Sequence, residues 1–285
     1  SGRLRVVASG ERRIAVTDYG PRSGKPVIVM HGAATGRRLP PAMVVAMHAR
    51  GLRPLVPQRP GYGLTDVADQ PYLEQCASDM ARLMDALRID QARLLVRDSA
   101  TPAGLLFANQ HPDRVASGVI VNPKWPLRAL SHSAPRPTSL MAALGNLFVE
   151  SPQLIGLVGE ILRRQTRTEM LEKVMRQSLA HLPCDQETLR EPGVLDALVQ
   201  DAQGMFARSS MGFTSEHMAF VTGWDLPETV GGARWTVAEC GQLTLPDAMS
   251  VWGRLPNATF QVIPNAGLLV YFTHPEVVAD LVAGT

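Results

Sequence analysis

Short apolar runs alternate along this chain with segments whose apolar residues recur at helical spacing. "RLRVVASGERRIAVTDYG" (3–20) alternates apolar and polar positions around a Ser-Gly turn, which predicts a β-hairpin. "KPVIVMHG" (25–32) is a continuous apolar run ending in His-Gly, as a strand buried on both faces requires. "RPLVPQRPGYGLTD" (53–66) predicts a further short strand and a Pro/Gly-rich loop, and "YLEQCASDMARLMDALRI" (72–89) has the apolar spacing of a helix. The strand "DQARLLVRD", the helix "TPAGLLFANQHPDRV" and the strand "ASGVIVN" follow. Strands alternating with helices predict a mostly parallel sheet with helices on both faces.

The pattern changes over 126–227. "SLMAALGNLFVESPQLIGLVGEILRRQ", "TEMLEKVMRQSLAHL" and "LREPGVLDALVQDAQGMFARSS" all read as helical, without a strand, and are rich in Met and Leu. The α/β pattern returns with "RWTVAEC", a helix around "LPDAMSVWGRL", the strand "TFQVIP" and a last helix "HPEVVADLVA". The expected organisation is a core of residues 1–125 and 228–285, interrupted by a helical lid over 126–227.

Composition narrows the function classes. A length of 285 residues suits one large α/β domain or a core with an inserted lid, and 45% hydrophobic with 19% charged residues is ordinary for a globular chain. A net charge of +2 gives no case for nucleic acid as the main partner. Arginine outnumbers lysine 25 to 3, which suggests a GC-rich bacterial gene more than arginine chemistry. Cys76, Cys184 and Cys240 are scattered without metal-type spacing, so reduced thiols are expected, with no metal and no cofactor. No stretch reaches the roughly 18 apolar residues of a membrane span, and "SGRLRVVASGERR" has no apolar signal core. A cytoplasmic location is the expectation, with no membrane partner. The oligomeric state stays open, a homodimer among the options.

Several motifs in order carry a resemblance. "HGAATG" (31–36) resembles the His-Gly oxyanion loop of α/β hydrolases, and "RPGYGLTD" (59–66) resembles their loop after the fourth strand. "DMARLMDALRIDQARLLV" resembles the helix and strand leading to the nucleophile elbow. "HPDRV" (111–115) closes the next helix, and "VIPNAGLLVYFTHPEVVADL" resembles the C-terminal strand, turn and helix. The resemblance covers most of the chain and implies a capped α/β-hydrolase fold. In that pattern the nucleophile precedes the His of the His-Pro-x-Arg-Val segment by thirteen residues, which puts Asp98 in the seat. The alternative register seats Ser99, and places Arg97 and Thr101 where small residues belong. Val96 stands where the family has a Gly, at a turn that crowds its backbone. The family His aligns with Leu268 and the family acid with Gln242, so the implied triad is Asp98, Gln242 and Leu268.

An Asp in this seat resembles haloalkane dehalogenases and epoxide hydrolases, whose carboxylate forms an alkyl ester that a His-activated water cleaves. Leu268 cannot activate water, Ser99 stands where dehalogenases have a halide-holding Trp, and no tyrosine falls in the lid to polarise an epoxide. Proton transfer by Asp98 remains, its carboxyl pushed toward neutrality under an apolar lid. The expected function is therefore an atypical, cofactor-free enzyme of this fold. It would cyclise, isomerise, eliminate or decarboxylate an apolar or aromatic small molecule, plausibly in secondary metabolism. A catalytically silent binding protein, with Asp98 as a helix cap, and a true hydrolase of esters or epoxides using Asp98 or Ser99 with an unusual His are the alternatives. Asp98, Ser99 and His31 are the catalytic candidates, although the resemblance implies for His31 the family His's usual role of ordering its loop. Gly32, Ala33 and Ala34 are expected at an oxyanion site, with Ser99 lending its backbone N–H. Arg97, Lys124, Trp125, Trp224 and Leu268 are the candidate substrate contacts, with His217, whose plainer reading is a surface histidine. Arg59 and Asp66 are expected to staple the 59–66 loop.

Overall fold

The computed structural model describes residues 2–32, 36–126, 145, 147–166, 169–243 and 248–284. Strands β1 (Arg3–Ser9) and β2 (Arg12–Asp18) form the hairpin, with Ser9 opposite Arg12 across a turn in which Gly10 takes φ +62°. The sheet adds β3 (Lys25–Met30), β4 (Leu52–Pro57), β5 (Ala92–Arg97), β6 (Val115–Val121), β7 (Arg234–Cys240) and β8 (Ala258–Ile263). Its order is β1-β2-β4-β3-β5-β6-β7-β8, antiparallel through the β2–β4 pair and parallel from β4 onward.

The continuous apolar runs of the sequence exist because both faces of this sheet are covered. Ile28, Met30, Leu94, Val96 and Ile120 point to one face, and Val27, Val29, Leu95, Val119 and Val121 to the other, with period two along each strand. The first face is covered by α2 (Tyr72–Leu87), α3 (Thr101–Gln110) and the short α9 (Ala248–Trp252). The second is covered by α1 (Pro41–Ala49), α10 (Val270–Thr273) and α11 (Pro275–Gly284). Asp79 on the buried side of α2 is tolerated because the Arg12 guanidinium of β2 grips both its oxygens, at 2.5 and 2.8 Å.

Between β6 and β7 the described residues hold helices and no strand longer than an isolated bridge. These are α4 (Ile155–Gln165), α5 (Met170–Ser178), α6 (Pro183–Thr188), α7 (Val194–Met205) and α8 (Met211–Thr222). We call them the cap. Helices α1, α6 and α8 were not signalled by the sequence pattern. In α1 and α8 the apolar residues run round all sides, and α6 is under two turns long behind Pro183. Among the described residues no helix is long and apolar enough to cross a membrane.

Candidate functional site

Strand β5 runs between β3 and β6 and ends at Arg97; a single 3-10 turn, Asp98–Ala100, then leads into α3. Asp98 makes the bend with φ +50°, a conformation that costs a side-chain-bearing residue about 1–2 kcal/mol and that Asp tolerates better than most. Its carbonyl oxygen is held by the Thr101 hydroxyl at 2.6 Å and the Lys124 N–H at 3.3 Å. Gly32, at the end of β3, faces it so closely that a Cβ there would lie 3.0 Å from the Asp98 Cβ and 3.1 Å from Oδ2. Val96 fits inside the turn because Gly104 on α3 leaves room; a Cβ at Gly104 would meet Val96 Cγ2 at 2.6 Å. Ser99 is buried, and its hydroxyl lies 3.4 Å from the Arg59 Nη2 that donates to it. Ala33 and Ala34 lie outside the described residues.

Charge around Asp98 is unevenly shared. Burial pushes its carboxyl above the ordinary range; Lys124 and Arg97 pull it down, Glu216 pushes it up and Arg59 pulls it down, with a net rise. Arg97 donates to the Leu268 carbonyl and lies 5.0 Å over the Tyr271 ring, while the Lys124 ammonium lies 5.1 Å over the Phe220 ring of the cap. Trp125 is turned into the core: its Nε1 donates to Glu239 at 3.2 Å, as does Trp252 Nε1, and the two indoles meet edge to face. The buried Trp224 Nε1 finds no acceptor among the described residues.

The two candidate histidines take different surroundings. His31 Nδ1 donates to the Gly32 carbonyl at 3.0 Å, and its Nε2 accepts the Arg59 N–H at 3.3 Å, so both ring nitrogens bind backbone of the two loops they join. His217 is half-buried, which corrects the plainer expectation of an ordinary surface histidine. On α8 it stacks on Phe213 at 3.9 Å, with Phe148 and Phe220 edge-on, because its own helix turns it inward among aromatics. Its Nδ1 donates to the Phe213 carbonyl at 2.9 Å, and burial lowers its pKa although Glu216 raises it.

Three buried cap carboxylates grip three loops around Asp98, and none was a candidate from the sequence. Asp185 on α6 accepts the Leu268 and Leu269 N–H groups at 2.7 and 2.9 Å. Asp201 on α7 accepts the Gly36 and Arg38 N–H groups at 2.6 and 3.2 Å, and burial pushes its carboxyl up. Glu216 on α8 pairs with the Arg59 guanidinium and receives the Tyr62 hydroxyl, where Gly212 packs directly against the backbone of the 59–63 loop. Burial pushes Glu216 up, but Arg59 and Tyr62 outweigh it and hold the carboxyl at about 2. Arg59 is thus more than a loop staple, whereas Asp66 binds Arg13 of β2 through its backbone and its guanidinium. Gln242 is exposed, and its backbone N–H donates to the Ala266 carbonyl at 3.1 Å.

Comparison with known proteins agrees with this geometry. Residues 25–149 match the family model described as the alpha/beta hydrolase fold. A haloalkane dehalogenase from Mycobacterium marinum is 32% identical over 114 residues, which cover 39% of this chain and 38% of the dehalogenase. This chain thus matches well under half the length of that relative. An alpha/beta hydrolase fold protein from Nakamurella multipartita superimposes at a TM-score of 0.68, over 99% of this chain and 100% of its own, at 20% identity. An epoxide hydrolase from Vigna radiata does so at 0.68, over 99% and 97%, at 15% identity. The family match over residues 25–149 and these superpositions together show that this chain has the α/β-hydrolase fold.

Proposed function

We propose that this chain is an enzyme in which Asp98 acts as general acid and base on an apolar or aromatic small molecule, without a cofactor. What supports the reading is Asp98 itself, seated at the strand-to-helix bend against Gly32 with its carboxyl pushed toward the neutral form. A neutral carboxyl gives its proton to one substrate atom and, as carboxylate, takes one from another, so cyclisation, isomerisation, elimination or decarboxylation needs no water-activating histidine. Around the loop that resembles the family's histidine loop, the Leu268 N–H and carbonyl are already taken by Asp185 and Arg97. The test is Asp98→Asn assayed on the native substrate, found by comparing metabolites of a deletion strain with its parent. The rate should fall about 10²–10⁴-fold with ligand affinity kept. An undiminished rate rejects the role of Asp98, and a native protein that binds its ligand without converting it favours a binding protein.

A second reading has its own support in the dehalogenase match and the aspartate at the bend: Asp98 as a nucleophile forming an alkyl ester. Intact-protein mass after incubation with a short bromoalkane separates the two. A gain of one alkyl group, absent in Asp98→Asn, supports the nucleophile; an unchanged mass supports the proton carrier.

A further inference from the structure

Three cations surround Asp98, and each is engaged elsewhere. Arg97 turns to the Leu268 carbonyl and the Tyr271 ring, and Lys124 to the Phe220 ring. Arg59 is the most deeply set of the three, with 3% of its surface exposed. Its Nη1 binds Glu216 and the Tyr72 hydroxyl at 3.3 Å, and its Nη2 reaches the hydroxyl of Ser99, the residue next to Asp98. The guanidinium also lies 5.3 Å over the Tyr62 ring, whose hydroxyl donates to the second oxygen of Glu216. Glu216 has no exposed surface, arrives from the cap, and among the described residues is the only full opposite charge bound to any of these three cations.

We propose that Glu216 is a positioning residue of the Asp98 site: by pairing with Arg59 it holds that guanidinium on the tyrosines and Ser99, and keeps it from pairing with the Asp98 carboxylate. A buried guanidinium seeks a carboxylate, because a lone charge in a low-dielectric interior is far costlier than a paired one. Remove Glu216 and the Asp98 carboxylate, which already feels the Arg59 charge and follows on the chain beside the Ser99 that Arg59 reaches, is open to that guanidinium. Asp98 would then be drawn into a permanent ion pair, which holds it ionised and removes the proton it needs to give. The groups facing Asp98 are Lys124, Arg97, Glu216 and Arg59; those facing Glu216 are Arg59, Tyr62 and His217, and Tyr72 and Cys76 also face Arg59. Among them Glu216 is the anion, so its loss acts on Asp98 in one direction. The chemical importance of this arrangement rests on Asp98 as the proton carrier; the arrangement itself does not.

The test is a titration of the Asp98 carboxyl by 13C NMR in aspartate-labelled full-length protein, the signal assigned by its absence in Asp98→Asn. Glu216→Gln should lower the Asp98 midpoint by about one pH unit or more, the scale of a carboxylate gaining a close cation. Arg59→Met combined with Glu216→Gln removes the cation as well, and should bring the midpoint back to the native value. A purely structural role for Glu216 would not give that recovery. An unmoved midpoint in Glu216→Gln overturns the proposal, as does a lowered midpoint that persists in the double variant. Should Glu216→Gln fail to fold, Glu216→Met takes its place: a lowered midpoint that Arg59→Met restores supports the proposal, and an unmoved one overturns it. The readout needs no substrate, so a midpoint that moves as described beside an Asp98→Asn protein of full activity would reject the proton carrier while leaving Glu216 its role.

Discussion

Asp98 combines two unfavourable features, a left-handed backbone and a carboxyl stripped of much of its water. Its pH linkage has a definite sign. With the folded pKa above the unfolded value of 3.8, the folded state binds more protons between the two, and stability falls as pH rises through that window. Asn keeps the shape, tolerates the left-handed backbone and carries no charge. Asp98→Asn should therefore unfold at a higher urea concentration than the native protein near pH 7, with the gain shrinking as pH drops below the window. Equal urea midpoints across the range would mean that burial does not strain Asp98. The position of the bend at Asp98 was legible in the sequence from its spacing to His111, and Val96, read there as out of pattern, is accommodated in it. The remedy was not legible, because Gly104 meets Val96 only once α3 lies on the sheet.

At the scale of elements, the cap is fastened by buried carboxylates as well as by apolar clusters that include Tyr62 and Leu269 of the core loops. Asp185→Ala would leave the Leu268 and Leu269 N–H groups without their acceptor, at a cost of about 2–4 kcal/mol from the usual penalty for two unsatisfied buried donors. Urea unfolding should show that loss, and hydrogen exchange at those two amides should accelerate more than at the β3 or β5 amides. Uniform exchange across the chain would deny the local latch. Strands and the helices α2, α3 and α11 could be read from period and composition, since what buries them is their own pattern. The carboxylates on α6, α7 and α8 could not. An Asp or Glu among cap residues reads as a solvated face until a loop distant in sequence supplies its donors: Leu268 is 83 residues from Asp185, and Arg59 is 157 from Glu216. His217 was misread because the helix carrying it was not signalled, and with that helix in place it meets the local Phe213 and Phe220 and also Phe148, 69 positions back in the sequence numbering.

Across the whole molecule, two buried ion pairs among the described residues tie secondary elements to one another, Arg12–Asp79 between hairpin and α2 and Arg59–Glu216 between loop and cap. Asp79→Ala would strand a buried guanidinium and should cost about 3–5 kcal/mol in urea unfolding. A loss within a few tenths would show that Arg12 finds other acceptors. Glu216, held at about 2 in the fold against 4.5 in the unfolded chain, adds stability that is complete above 4.5 and lost as pH falls toward 2. The acid limb of the stability curve should shrink in Glu216→Gln, and an unaltered limb would assign acid unfolding to other groups. The linked sheet, elbow and cap converge on Asp98. Its role is tested most directly by kcat/KM against pH on the native substrate, native protein beside Asp98→Asn. If Asp98 carries the proton, the native profile bends at the midpoint that NMR gives for Asp98, above 3.8, and Asp98→Asn loses both that bend and about 10²–10⁴-fold of the rate. An Asp98→Asn profile that keeps the same bend at undiminished rate would contradict it.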